Sequence, residues 1–254
     1  MAINEVFPNP TVKKVIFQIR FPNLFYMEAK IGDYQLRIMD RFPKSSLLVK
    51  RQFLIAELTS DKKMPDLAEV PGEPGVNKIW HFESPDGVEL NVNTDSVDIS
   101  SSVHKTYNNP SGQNRFRDII KLAIDHFLSL TGIPILTRVG LRYIDACPVP
   151  GKDNTVYAEW YKSAFPLDRF PLSEAIEMIF HTCTRRDQYF LGFTESFKDD
   201  SGKLALTLDF DGYAENVKSE DYLRVTDDLH ALVVQEFEAS IRERLINHMR
   251  QPKE

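Results

Sequence analysis

Between Val12 and Phe21 the residues Val15, Phe17, Ile19 and Phe21 alternate with Lys14, Ile16, Gln18 and Arg20. A period of two is that of a strand with one apolar face, and Pro22 ends it. Met27, Ile31, Tyr34, Ile38 and Phe42 then recur at steps of three or four, the spacing of an amphipathic helix closed by Pro43. Strand periodicity returns with Leu47, Val49, Phe53 and Ile55, and Asp61 to Val76, rich in Pro, Lys and Glu, is expected to be a surface loop. From Lys78 to Val103 the pattern predicts a meander. Ile79–Glu83 and Val88–Val92 flank a Pro85-Asp86-Gly87 turn, and a third strand carries Val97, Ile99 and Val103.

The second half continues in the same manner. Phe116, Ile119, Ile120, Ala123, Ile124, Phe127 and Leu128 hold one helical face, stopped by Gly132 and Pro134. Ile135 to Cys147 is a strand with Val139, Leu141, Tyr143 and Asp145 on one face and Arg138, Gly140 and Arg142 on the other. A short helix is predicted over Val156–Ser163, then strands over Glu174–Cys183, Gln188–Phe197 and Lys203–Asp211. A final helix is expected from about Thr226 to Met249, where Leu229, Val233, Phe237, Ile241, Leu245 and Met249 repeat every four residues. Asp227 and Asp228 in its first turn, with Arg242, Arg244, His248 and Arg250 towards its end, complement the helix dipole.

These elements predict an α+β protein, mainly antiparallel sheet with helices on one face. Each half contains a hairpin, a further strand and a helix, so two related units are expected, 1–150 and 151–254. The two could also pack as one compact domain. Hairpin-plus-helix units are common, and the likeness does not require duplication.

Composition adds limits. The 254 residues include 42% hydrophobic and 27% charged, enough for a substantial core. Seventeen Phe against two Trp point to aromatic packing between helix and sheet. A net charge of −6 is unlike the basic coat that phosphate backbones select, so nucleic acid is not expected as a main partner. Cys147 and Cys183 form no CxxC pair, which leaves no zinc ribbon and no disulfide framework and suggests a reducing, cytoplasmic setting. No run reaches the roughly 18 apolar residues of a membrane span. Nucleotide-cradle and GxSxG patterns do not occur, and no cofactor or metal is expected.

Several stretches carry a resemblance. They are Asn9-Pro10 followed by VIFQIRFP, WHFESPDG, ILTRVGLRYID, LTLDFDGYAE and LHALVVQEFEASIRERL. Together the chain resembles a sporadically distributed family of uncharacterised bacterial proteins of similar length. That family often carries a His after the aspartate pair, where Gly212 stands here. The resemblance implies a shared domain and no activity.

The candidate ligand-binding residues are Arg138, Arg142, Asp209, Asp211 and His181. Asp209 and Asp211 share a strand face and could hold Mg²⁺ in a phosphodiester hydrolase, or could be a solvated face entering a turn at Gly212. Arg138 and Arg142, with Gly140 between them, could clamp a small anion, or could pair with acids such as Asp209 or Glu177 on neighbouring strands. His181 shares a face with Cys183 near Arg185 and Arg186, where a thiolate would be favoured; a semi-buried polar face is the simpler account. His230, beside the apolar stripe, reads as a core histidine. With no catalytic constellation, the expected function is a non-enzymatic binding or protein-interaction module, its partner another protein or a second copy.

Overall fold

The computed structural model describes residues 6–51, 76–109 and 114–252. Its element order is β1 (Val12–Arg20), α1 (Met27–Ile38), β2 (Lys44–Arg51), β3 (Val76–Glu83), β4 (Glu89–Val92), β5 (Ser96–Ser101) and α2 (Phe116–Thr131), followed by β6 (Ile135–Cys147), α3 (Asn154–Ala158), β7 (Glu177–Arg186), β8 (Tyr189–Asp200), β9 (Lys203–Lys218), α4 (Tyr222–Ser240) and α5 (Glu243–Arg250). The expected surface loop over Asp61–Val76, and Phe53 and Ile55, lie outside the described residues apart from Val76, which opens β3.

The nine strands form one antiparallel sheet in the order β2-β3-β4-β5-β1-β6-β9-β8-β7. The α+β architecture expected from periodicity is therefore present. β6 is the centre. It pairs on one side with β1, from Val12↔Asp145 to Arg20↔Arg138, and on the other with β9, from Ile135↔Lys218 to Cys147↔Leu206. The sheet thus runs without interruption past residue 150.

Alternation decides which face is covered. Val15, Phe17 and Ile19 of β1, Val139 and Leu141 of β6, and Leu208 and Phe210 of β9 are all buried. Aromatic side chains from the helices close over them. Tyr34 of α1 meets Phe82 and Phe127 edge-on, and Phe237 of α4 meets Phe210 in the same way. Such T-shaped pairs align the positive ring edge with the negative ring face. The opposite sheet face carries the polar members of each alternation.

Four expectations need correction. The final helix is two helices, because Ile241 and Arg242 are extended and Ile241 bridges to Tyr161. A stripe repeating every four residues turns about 40° further than a helix face at each step, so it cannot face one sheet through five such steps. The break resets it, returning Leu245 and Met249 to the core. Gly212 lies inside β9, with no turn there, and the strand runs on to Lys218. A Cβ at Gly212 would lie 3.1 Å from Val233 Cγ2 and 3.6 Å from the Leu229 carbonyl, so the glycine lets α4 sit close on the sheet. In the third, β7 begins at Glu177 and includes Arg185 and Arg186, and the turn is made at Asp187 with φ of 54°. The short helix also starts earlier than its apolar pattern suggests, because the Asp153 side chain caps it by accepting from the Thr155 and Val156 amides.

Candidate functional site

All five expected ligand-binding residues lie on the uncovered face. Arg138 and Arg142 project from β6, Asp209 and Asp211 from the adjacent β9, and His181 from β7. β7 is three strands from β6, about 14 Å at ordinary strand spacing, so His181 belongs to separate surroundings. Its Nδ1 lies 2.9 Å from Thr194 Oγ1.

The arginines and aspartates meet as two ion pairs. Arg138 Nη2 donates to both Asp211 oxygens at 2.8 Å, and its Nη1 donates to Gln18 Oε1 at 2.9 Å. Arg142 donates through Nε and Nη2 to the two oxygens of Asp209, the first at 2.7 Å. That hydrogen bonding raises the Arg142 pKa further above its ordinary value. Gly140 has a specific part in this. A Cβ there would fall 2.4 Å from Arg138 Nη1, so the room over the glycine is filled by the chain's own guanidinium.

Each pair cancels the other's proposed chemistry. An anion would have to displace two carboxylates from the arginines. A divalent cation would have to displace two guanidiniums, and no group of three or more His, Cys, Asp or Glu able to hold a metal occurs among the described residues.

Periodicity left a further feature of this face unseen. The Arg138 guanidinium lies 4.7 Å from the Tyr213 ring centre, Tyr213 stacks on Phe190 at 5.0 Å and 12°, and Arg185 lies 5.9 Å over Phe190. The ring faces are turned to one another, so their edges rather than a stacking platform meet solvent. Beyond the stack, Cys183 Sγ lies 3.6 Å from the Tyr213 hydroxyl, and no basic side chain among the described residues is bonded to the thiol.

The covered side holds the groups the sequence undervalued. Asp145 is 1% exposed, on the face of β6 opposite Asp209's on β9, and accepts Thr11's hydroxyl at 2.7 Å. Burial pushes its carboxyl up to about 7. His230 of α4 packs against Tyr107 and Tyr143, with Tyr143's hydroxyl 3.2 Å from its Nδ1, and burial lowers it to about 4. Both side chains line a partly open cavity of about 90 Å³ between α4 and the sheet. The alternation around Asp145 already placed it inward; an acid on an otherwise apolar strand face was the available signal.

Among the described residues β7 is an edge strand of the sheet, and exposed apolar side chains gather on and beside it. Ile176 is 75% and Ile179 63% exposed, and Phe170 beside them is 50% exposed. An apolar trough lined by Phe165, Pro166, Met178 and Phe180 runs along this edge.

No protein-family model, no curated protein and no solved structure matches the chain. No helix among the described residues is long and apolar enough to cross a membrane.

Proposed function

We propose that this protein is a non-enzymatic interaction module, and that the surface it uses is the edge strand β7, paired with the same strand of a second copy. The observation that carries this is the character of the edge. Native sheets blunt their free edges with Pro, Lys, bulges or short strands, because unpaired backbone groups recruit other chains. β7 runs ten residues, EMIFHTCTRR, with no Pro or Lys and an unbroken register against β8.

The edge is also self-complementary. Antiparallel pairing about a two-fold axis at His181 preserves the inward and outward alternation of both strands. It sets Glu177 opposite the partner's Arg185 and Ile179 opposite the partner's Cys183. Opposite charges and apolar pairs facing across strands stabilise such a ladder, each by about 0.2–1 kcal/mol. Exposed Ile176 and Phe170 would add apolar burial beside it.

Membership of the sporadically distributed bacterial family belongs to the same proposal. Its quoted stretches occupy β1, the β3 turn, β6, β9 and the α4–α5 segment, which build the centre of the fold. A cytoplasmic setting is supported by two free cysteines on different strands, one buried and one exposed.

Sedimentation equilibrium of the full chain tests the interface. The expected result is a dimer that Ile179→Lys converts to a folded monomer, since two lysines would then face the shared edge. A wild-type monomer at tens of micromolar, or a dimer indifferent to Ile179→Lys and Ile179→Glu, would refute it.

A further inference from the structure

The cavity beneath α4 has walls of Phe7, Tyr143, Phe210, Phe237 and Met249, with Asp145 and His230 as polar groups among them. Two buried carboxyls in this protein are differently provided for. Glu195, 1% exposed, accepts hydrogen bonds from Tyr157 at 3.0 Å, Ser163 at 2.7 Å and the Ala164 amide at 2.7 Å. Asp145, equally buried, has only Thr11 as a hydrogen-bond partner among the described residues. Lys105 also lines the cavity, but its ammonium donates to the Ser102 carbonyl at 2.7 Å.

The histidine supplies no compensating charge. Tyr143's oxygen accepts the Tyr107 amide at 2.8 Å, and its hydroxyl lies 3.2 Å from His230 Nδ1. Burial lowers His230 to about 4, so its ring is neutral in mildly alkaline solution and is no counter-ion for Asp145.

We propose that this cavity binds a compact organic ammonium ion, with Asp145 as its counter-ion and the aromatic walls against its alkyl groups. A carboxyl withdrawn from water with one hydrogen bond is costly to ionise, and a cation bearing several N–H donors supplies what the protein leaves out. Aromatic faces attract the same cation. An anion would meet Asp145 unfavourably, and a metal ion would find one carboxylate and a hydroxyl where several oxygens are needed. Size sets the scale. A dry cavity of about 150 Å³ accepts benzene, so one of about 90 Å³ takes only a few non-hydrogen atoms. Isopropylammonium is a suitable probe.

The test is calorimetric titration of the full chain with isopropylammonium chloride, and separately with 2-propanol, its neutral isostere, in mildly alkaline buffer. Expected is one site, with the alcohol at least about tenfold weaker. Asp145→Asn and the cavity-filling Val234→Phe should each remove binding, with folding checked by near-ultraviolet circular dichroism. Equal binding of amine and alcohol would overturn the counter-ion assignment without recourse to a variant. Failure of both to bind would mean the cavity holds only water, and the proposal would fall. Neither result depends on whether β7 forms a dimer.

Discussion

Asp145 and His230 line one cavity yet titrate in opposite senses. Burial, helped by the charge of Asp209 and opposed by Thr11's hydroxyl, raises Asp145 from 3.8 to about 7. The folded chain keeps a proton that the unfolded chain has released, so the stability from this group is complete below about pH 4 and lost as pH rises through about 7. Burial lowers His230 from 6.5 to about 4, with Asp227 pulling weakly the other way. Here the unfolded chain binds a proton the folded chain refuses, so stability is present above pH 6.5 and lost as pH falls through about 4. Between those limits the slopes oppose, and Tyr143 on the cavity wall, raised further by burial, stays neutral. Wild-type stability should therefore vary little from this pair between about pH 4 and 6.5. Asp145→Asn should expose the histidine's slope, losing stability towards acid. His230→Phe should expose the aspartate's, losing stability towards neutrality. Each slope has a ceiling of about 1.4 kcal/mol per pH unit. Urea melts at half-unit pH steps would decide it, and parallel profiles for the two variants would contradict the assignment.

Two glycines on neighbouring strands do different work, and their replacement should show it. At Gly212 an added methyl meets Val233 Cγ2 and, behind it, the α4 backbone. Neither yields easily, so Gly212→Ala should cost about 1–3 kcal/mol by overpacking, partly recovered in the Gly212→Ala, Val233→Ala double variant. At Gly140 the methyl meets the far end of Arg138, which can swing away from Tyr213 and Asp211. That loss is of a partly exposed pair, about 0.2–1 kcal/mol. Chemical denaturation of the alanine variants should rank Gly212 well above Gly140. The same contrast marks what was legible in the sequence. Period-two alternation placed Arg138, Arg142, Asp209 and Asp211 on one face correctly, because strand geometry fixes sidedness. It could not place Tyr213 or Phe190 beside them, because their stacking depends on the register between β8 and β9. Nor could it find the break at Ile241, which comes from a bridge to Tyr161, 80 residues earlier, without Pro or Gly to announce it.

At the scale of the molecule, the question is whether the halves on either side of residue 150 stand alone. The hydrogen-bonded ladders argue against it. β6 precedes that point and pairs with β9 beyond it through twelve register positions, from Ile135 to Cys147 with one position skipped. Side chains cross it as well. Arg117 of α2 holds Asp227 of α4 through two bonds of 2.7 and 2.8 Å, and Tyr107 donates to the same carboxylate at 2.8 Å. Burial alone would raise Asp227, but these two partners hold it below its ordinary value. Separating the halves would expose the apolar face of β6 and β9, which α4 covers, and leave Asp145 in water. The cost of opening that seam is thus shared by both halves, the condition for one cooperative unit. Calorimetry of the full chain should give a single transition whose van't Hoff and calorimetric enthalpies agree per folding unit. Asp227→Asn should move that whole transition down. If it instead split the endotherm, with one component unmoved, the sheet would be two folding units joined at β6 and β9, and the continuity of its strands would be geometric without being energetic.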